Sequence, residues 1–223
     1  MEQQNSAQNT IEKTIMYVLA ALAGAGLIIY GAFFYTKPRA ESQQASIIAK
    51  TGEQAQNAIK ADFVDPVLGN TNAPITIIEY GSYLCGHCNT FSQEIFPIIY
   101  ENYIKTGKVK FIYRSFPPYE LGMALMCANE ENKFWEYHDY AIQNQITEVD
   151  DLKTFAIGAG LNGPAFNECF DSGKYQETSE AIIVDGQNAG VSGTPTFFIN
   201  NQKVVGALPY EDFAKAIDAE LNK

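Results

Sequence analysis

Two of the chain's four cysteines, Cys85 and Cys88, stand three positions apart in Cys85-Gly86-His87-Cys88. At the start of a helix, positions i and i+3 share one side, which brings two sulfurs near enough for a disulfide. The first sulfur would also face free backbone N–H groups and the positive end of the helix dipole, so its pKa should fall below the ordinary value of about 8.5. His87 would add positive charge or a hydrogen bond near that thiolate, stabilising the reduced pair and making the disulfide a better oxidant. Cys85 is then the sulfur that exchanges, and Cys88, more buried, resolves the mixed disulfide. Half of a zinc knuckle or a plain structural disulfide would use the same residues. The other two cysteines, Cys127 and Cys169, are isolated, and His87 and His138 are the only histidines, so the layout of a structural zinc site is missing. Neither a metal nor a cofactor is expected.

Three further features could serve such a pair. Glu79 lies late in an apolar stretch six positions before Cys85, where burial of a carboxylate is costly. It is either a buried acid that relays protons to and from Cys88 or a strand-end residue turned to solvent. Thr194-Pro195 precedes a strand, and a cis bond there would expose the Thr194 backbone to pair with a substrate strand. Cys127 and Cys169 could form a structural disulfide in an oxidising compartment, or remain two buried thiols. His138 and Trp135 read as packing residues.

The elements that must position these groups follow from periodicity. Ile75 to Tyr80 is a β-branched run bounded by Pro74 and Gly81, which suits a buried strand. Behind the cysteines, Phe91, Ile95, Ile98, Ile99 and Tyr103 recur with helical period up to Gly107, placing Cys85 at a helix start. Val109, Phe111 and Tyr113 alternate with polar residues in a second strand that ends at Pro117-Pro118, completing a parallel strand, helix, strand unit. The placement of the cysteines between strand and helix favours redox chemistry over a zinc knuckle. From about 117 to 190 the chain reads as a helical insertion, with one long helix over Met123 to Tyr140 and breaks at Gly158, Gly160, Gly163-Pro164 and Gly173. Thr196–Ile199 and Lys203–Val205 then flank a three-residue turn, Asn200-Asn201-Gln202, as a hairpin. A last amphipathic helix runs from Tyr210 to Leu221.

Ahead of this domain, residues 1–13 are polar and Thr14 to Thr36 is 23 residues long without a charge, enough to span a bilayer as a helix. The apolar run continues well past the small residues that could mark signal cleavage, so an uncleaved single-pass anchor is expected. Residues 37–64 read as a Gln- and Ala-rich helical stalk, leaving 65–223 for the catalytic domain, with Asp65-Pro66 and Gly69-Asn70 marking a loop at the boundary. Lys13 on one side of the apolar run and Lys37 and Arg39 on the other point weakly to a cytoplasmic domain. A net charge of -11 with no clustered Lys and Arg argues against nucleic-acid binding.

The order strand, Cys-X-X-Cys helix, strand, helical insertion, Thr-Pro, hairpin, helix resembles the DsbA-like branch of the thioredoxin superfamily. The resemblance covers Asp65 to Lys223 and is carried by Glu79 with Cys85-Gly86-His87-Cys88, by Lys133 to His138, and by Gly190 to Asn200. It implies an α/β thioredoxin fold with a helical insertion, behind a transmembrane helix and stalk. It further implies Cys85 as nucleophile, Cys88 as resolving cysteine, Glu79 as buried acid, and Thr194-Pro195 as a cis-proline loop that touches substrate. The implied activity is that of a protein disulfide oxidoreductase donating disulfides to reduced exported proteins, with reoxidation by a membrane quinone-linked partner. The domain is then extracytoplasmic, against the flanking charges, because long domains translocate regardless of a small charge bias. Gly86 stands where the oxidase has Pro, and Gly86-His87 looks more like the dipeptide of eukaryotic disulfide isomerases. Isomerase or reductase activity, with a thiol reductant as partner, is therefore the alternative. A membrane-tethered chaperone that holds unfolded chains without turnover is the reading from another class.

Overall fold

The computed structural model describes Phe63 and residues 65–223. The polar N-terminus, the expected transmembrane helix and the expected stalk lie outside the described residues, Phe63 excepted. Among the described residues, no helix is long and apolar enough to cross a membrane.

Five strands form one sheet: β1 (Val67–Gly69), β2 (Ile75–Gly81), β3 (Val109–Ser115), β4 (Thr196–Ile199) and β5 (Gln202–Val205), in the order β1-β3-β2-β4-β5. The central pair β2 and β3 is parallel, with Ile77 opposite Phe111 and Glu79 opposite Tyr113. β4 lies antiparallel on the other side of β2, placing Phe197 beside Glu79. Side chains alternate between faces along a strand, so Ile75, Ile77 and Glu79 share one face of β2 and Ile78 and Tyr80 the other. The first face packs Ile77, Phe111 and Phe197 with Phe91, Ile99, Phe213 and Ile217 into the main core. The second face carries a smaller cluster in which Tyr80 and Phe198 meet Ile182 and Phe116.

The connection from β2 to β3 is helical from Gly86 to Ile104. α1 (Gly86–Thr90) continues into a π-helical turn (Phe91–Ile95), α2 (Phe96–Ile99) and a second π-helical turn (Tyr100–Ile104). Pro97 lies in the first turn of α2, and a proline inside a helix lacks the N–H that a regular turn requires, which accounts for the irregularity ahead of it. Between β3 and β4 come α3 (Tyr119–Glu130), α4 (Phe134–Gln143), a 3-10 turn (Val149–Asp151), α5 (Leu152–Gly158), α6 (Gly163–Asp171) and α7 (Gln176–Asn188). α8 (Tyr210–Leu221) closes the chain.

Three local expectations are corrected. The long helix over Met123 to Tyr140 is two helices, because Asn132 takes a left-handed backbone (φ 56°) after α3. Lys133 N–H then donates to Ala128 C=O at 3.0 Å and Asn132 N–H to Asn129 C=O at 2.9 Å, a Schellman stop for which Asn is suited. The hairpin turn holds two residues, Asn200 and Asn201, since Gln202 already pairs with Ile199. Asn200 accommodates a positive φ of 47° and also exchanges hydrogen bonds with Thr76 at the start of β2. The stretch after Asp65-Pro66, read as loop, contains β1, which pairs antiparallel with Lys110–Ile112.

Candidate active site

Cys85 occupies the N-cap of α1 with an extended backbone (φ -100°, ψ 115°), and its N–H donates to Ser82 C=O at 3.1 Å. The sulfur is partly exposed, whereas Cys88, one turn on, is buried, and both are free thiols here. Strand β2 ends at Gly81, so the short link Ser82–Leu84 fixes where the helix begins. Its Ser82 N–H donates to Cys88 Sγ at 3.4 Å, and Ser82 Oγ accepts from Leu84 N–H at 3.3 Å. His87 is exposed on α1.

The loop before β4 arrives from the other end of the chain. Its Thr194-Pro195 peptide bond is cis, as is Pro117-Pro118. The Cys85 thiol donates to Thr194 C=O at 3.2 Å. Three bonds hold the loop in place. Thr196 Oγ1 donates to Gly193 C=O at 2.7 Å, Gly206 N–H donates to Pro195 C=O at 2.8 Å, and Lys203 Nζ donates to Gly190 C=O.

Electrostatics divide the two sulfurs. Partial burial by itself raises the Cys85 thiol, but hydrogen bonds from the Thr194 side chain and the backbone of Cys88 and His87 outweigh it. The Cys85 pKa falls below its ordinary value. Cys88 goes the other way, pushed up by burial and then by the neighbouring Glu79 charge. Glu79 is 1% exposed, which settles its orientation inward. Burial, and secondarily the Cys85 charge, push its carboxyl up to about 8. A Cys85 sulfur that ionises more readily than an ordinary thiol, a Cys88 that holds its proton and an acid whose carboxyl titrates at about 8 therefore share one site. That set can carry out nucleophilic exchange and internal proton transfer.

A layer of aromatic and imidazole groups lies beneath. Tyr83 Oη and His138 Nδ1 are hydrogen-bonded at 3.0 Å, Tyr83 stacks on Tyr113 with ring centroids 5.7 Å apart, and Tyr113 meets the His138 ring at 4.5 Å. Burial holds the His138 imidazole neutral, with a pKa lowered to about 3. His138 and Trp135, which the sequence offers only as packing residues, belong to this layer, and no motif marks Tyr83 or Tyr113. The one available signal was the pairing of Glu79 with Tyr113 that follows from aligning the two strands.

Cys127 of α3 and Cys169 of α6 are joined as a disulfide, with Cα atoms 5.8 Å apart. Among the described residues, no group of three or more His, Cys, Asp or Glu side chains is arranged to hold a metal ion.

The thioredoxin family profile matches residues 61–219 of the chain. Disulfide bond formation protein D of Bacillus subtilis is 27% identical over 170 residues, covering 70% of this chain and 77% of that protein. A Rickettsia typhi protein described as a protein-disulfide oxidoreductase is 27% identical over 189 residues, covering 77% and 67%. Among solved structures, alpha-DsbA1 of Wolbachia pipientis superposes with a TM-score of 0.66 at 26% identity, covering 76% of this chain and 96% of that one. Oxidised BdbD of Bacillus subtilis gives 0.66 at 24% identity, covering 71% and 94%, a likeness of fold.

Proposed function

The chain belongs to the thioredoxin family, and we propose that Cys85 and Cys88 are its exchanging pair, with Glu79 as the group that gives and takes the Cys88 proton and Thr194-Pro195 as the edge that receives substrate. The protein is a thiol:disulfide oxidoreductase, DsbA-like in fold. The observation that carries the assignment of residues is the contrast between Cys85, partly exposed with a lowered pKa, and Cys88, buried with a raised one.

In the oxidising direction, a substrate thiolate attacks Cys85 Sγ, the Cys85–Cys88 bond breaks, and Cys88 leaves as a thiolate that takes the proton from Glu79. A second substrate thiolate then attacks the substrate sulfur of the mixed disulfide, forming the substrate disulfide and expelling Cys85 as a thiolate. The low Cys85 pKa makes it the better leaving group in that step. An electron acceptor must then restore the pair, and a quinone-linked membrane protein is the class of partner that fits. The reverse sequence is reductase or isomerase chemistry. Donation to exported proteins on the extracytoplasmic side is the favoured direction. Support comes from the Bacillus relative's name and from the Cys127–Cys169 bond, which an oxidising compartment preserves.

Two measurements test this reading. Cys85→Ser should abolish oxidation of a reduced, unfolded protein, and retention of that activity would remove Cys85 from the role. The reduction potential of the pair, equilibrated against glutathione, should lie well above the thioredoxin value of about -270 mV. A potential at or below that value would turn the assignment to a reductase.

A further inference from the structure

Glu79 and Tyr113 are paired in register on adjacent parallel strands and face the same side of the sheet. Each has a buried oxygen, Glu79 Oε1 and Tyr113 Oη, that finds no hydrogen-bond partner among the described residues. Leaving such a group unmatched away from water is costly. The two groups converge on Gly81. A Cβ built there would stand 2.8 Å from Glu79 Oε1, 2.6 Å from Tyr113 Cε2 and 3.1 Å from Tyr113 Cζ. Gly81 thus keeps open the space in which carboxyl and phenol approach one another. Tyr83, the other phenol beside this acid, already uses its hydroxyl on His138 Nδ1. On the remaining side of Glu79, β4 presents the apolar ring of Phe197.

From this arrangement we propose that Tyr113 is a positioning residue for proton transfer between Cys88 and Glu79, its hydroxyl donating to the Glu79 carboxylate whenever that group ionises. The inference rests on the assignment of Cys85 and Cys88 as the exchanging pair. When the enzyme resolves a mixed disulfide, Cys88 S–H gives its proton to Glu79. The Cys88 thiolate then attacks Cys85 Sγ, the Cys85–Cys88 bond forms, and the bound sulfur departs as a thiolate. A hydrogen bond from Tyr113 favours the ionised acid that must be present before the first of these events. The charged and titratable groups around Glu79 are Cys85 and Cys88 from α1, Tyr83 from the link, Tyr113 from β3, and beyond Tyr83 the His138 and Asp139 side chains of α4. Of these, Tyr113 is a neutral hydroxyl donor with no acceptor among the described residues.

Tyr113→Phe keeps the ring and breaks no existing hydrogen bond, so the variant should fold. Reduced wild type and variant are mixed with glutathione disulfide, quenched in acid and followed by mass spectrometry. Appearance of the singly glutathionylated protein reads attack by Cys85, and its decay reads resolution by Cys88. Tyr113→Phe should leave the first step unchanged, slow the second about tenfold at pH 7, and move the pH midpoint of the second step upward. A purely structural loosening would admit water around Glu79 and move that midpoint downward, which would overturn the proposal, as would an unchanged decay. In a Glu79→Gln background, Tyr113→Phe should have no further effect, and an undiminished effect there would also overturn it. Failure of wild type to form the singly glutathionylated species would instead count against the assignment of the cysteine pair.

Discussion

The Cys85 thiol donates to the Thr194 carbonyl at 3.2 Å across 109 positions of sequence, so this sulfur and the loop before β4 are in direct contact. The Thr194 side chain adds a second contact, a hydrogen bond that lowers the Cys85 pKa. Thr194→Val keeps the shape and removes that bond. The pH midpoint for alkylation of Cys85 by iodoacetamide should rise, and the rate at pH 6 should fall about 3- to 10-fold, on the basis of one hydrogen bond to a charged group. An unchanged midpoint would assign the low pKa to the helix N-terminus alone.

The Cys127–Cys169 bond closes a loop across 42 positions and ties α3 to α6 within the helical layer. Cross-linking a chain over such a span restricts the unfolded state and contributes about 2–4 kcal/mol. Replacing both cysteines by alanine should lower the urea midpoint by a corresponding amount. Exchange at Cys85 should keep its rate well below the transition, since neither residue belongs to the α1 site. A loss of exchange in folded protein would make the bond part of the active machinery.

Arg114 is 2% exposed, with NH2 2.6 Å from Asp65 Oδ2 and NH1 2.9 Å from Asp185 Oδ2. Its NH1 also donates to Tyr80 Oη at 2.9 Å, and the Phe63 ring lies 5.0 Å from its Cζ. This buried network binds β2, β3, α7 and the segment leading into β1. Removing the cation takes the Arg114 charge away from two buried carboxylates, so Arg114→Met should cost about 3–5 kcal/mol in urea unfolding at pH 7. A cost under 1 kcal/mol would mean that water reaches Asp65 and Asp185 readily.

Most of the frame was legible because it depends on local pattern. Ile75 to Tyr80 is β-branched and bounded by Pro and Gly, the helix behind the cysteines repeats with period near 3.6, and both appear at those positions. β1 escaped because three residues are too short to show alternation and are held by pairing with β3. The break at Asn132 escaped because the side chains on both sides keep helical spacing, and only the backbone φ records the stop. Of the site, Cys85 and Cys88 could be read as a motif. Glu79 could not be oriented, because a strand-end carboxylate is exposed or buried according to what covers it. Here α1 and the ring of Tyr113 do so. Arg114 lies in an alternating strand, and alternation does not say what meets the polar face. It is buried because Asp65 and Asp185, 49 and 71 positions away, arrive from other elements.

Two buried groups should give the reduced protein an opposed pH dependence of stability. Glu79 holds its proton up to about 8 when folded, against an ordinary value of 4.5. Between those pH values the folded state binds a proton that the unfolded chain has released, so stability falls as pH rises, by roughly 5 kcal/mol over the full interval. His138 is held neutral down to about 3 against an ordinary 6.5. There the unfolded chain binds the extra proton, so stability falls as pH drops through that window, by a similar amount. The two slopes oppose one another near pH 5–6, where stability should peak. Glu79→Gln should flatten the alkaline limb and raise stability at pH 8 by several kcal/mol, while His138→Asn should flatten the acid limb and leave the alkaline one. Urea unfolding of the three reduced proteins at pH 4, 6 and 8 distinguishes these outcomes. A Glu79→Gln variant no more stable than wild type at pH 8, relative to pH 4, would show that Glu79 does not hold its proton in the folded protein, and would remove it as the group that exchanges a proton with Cys88.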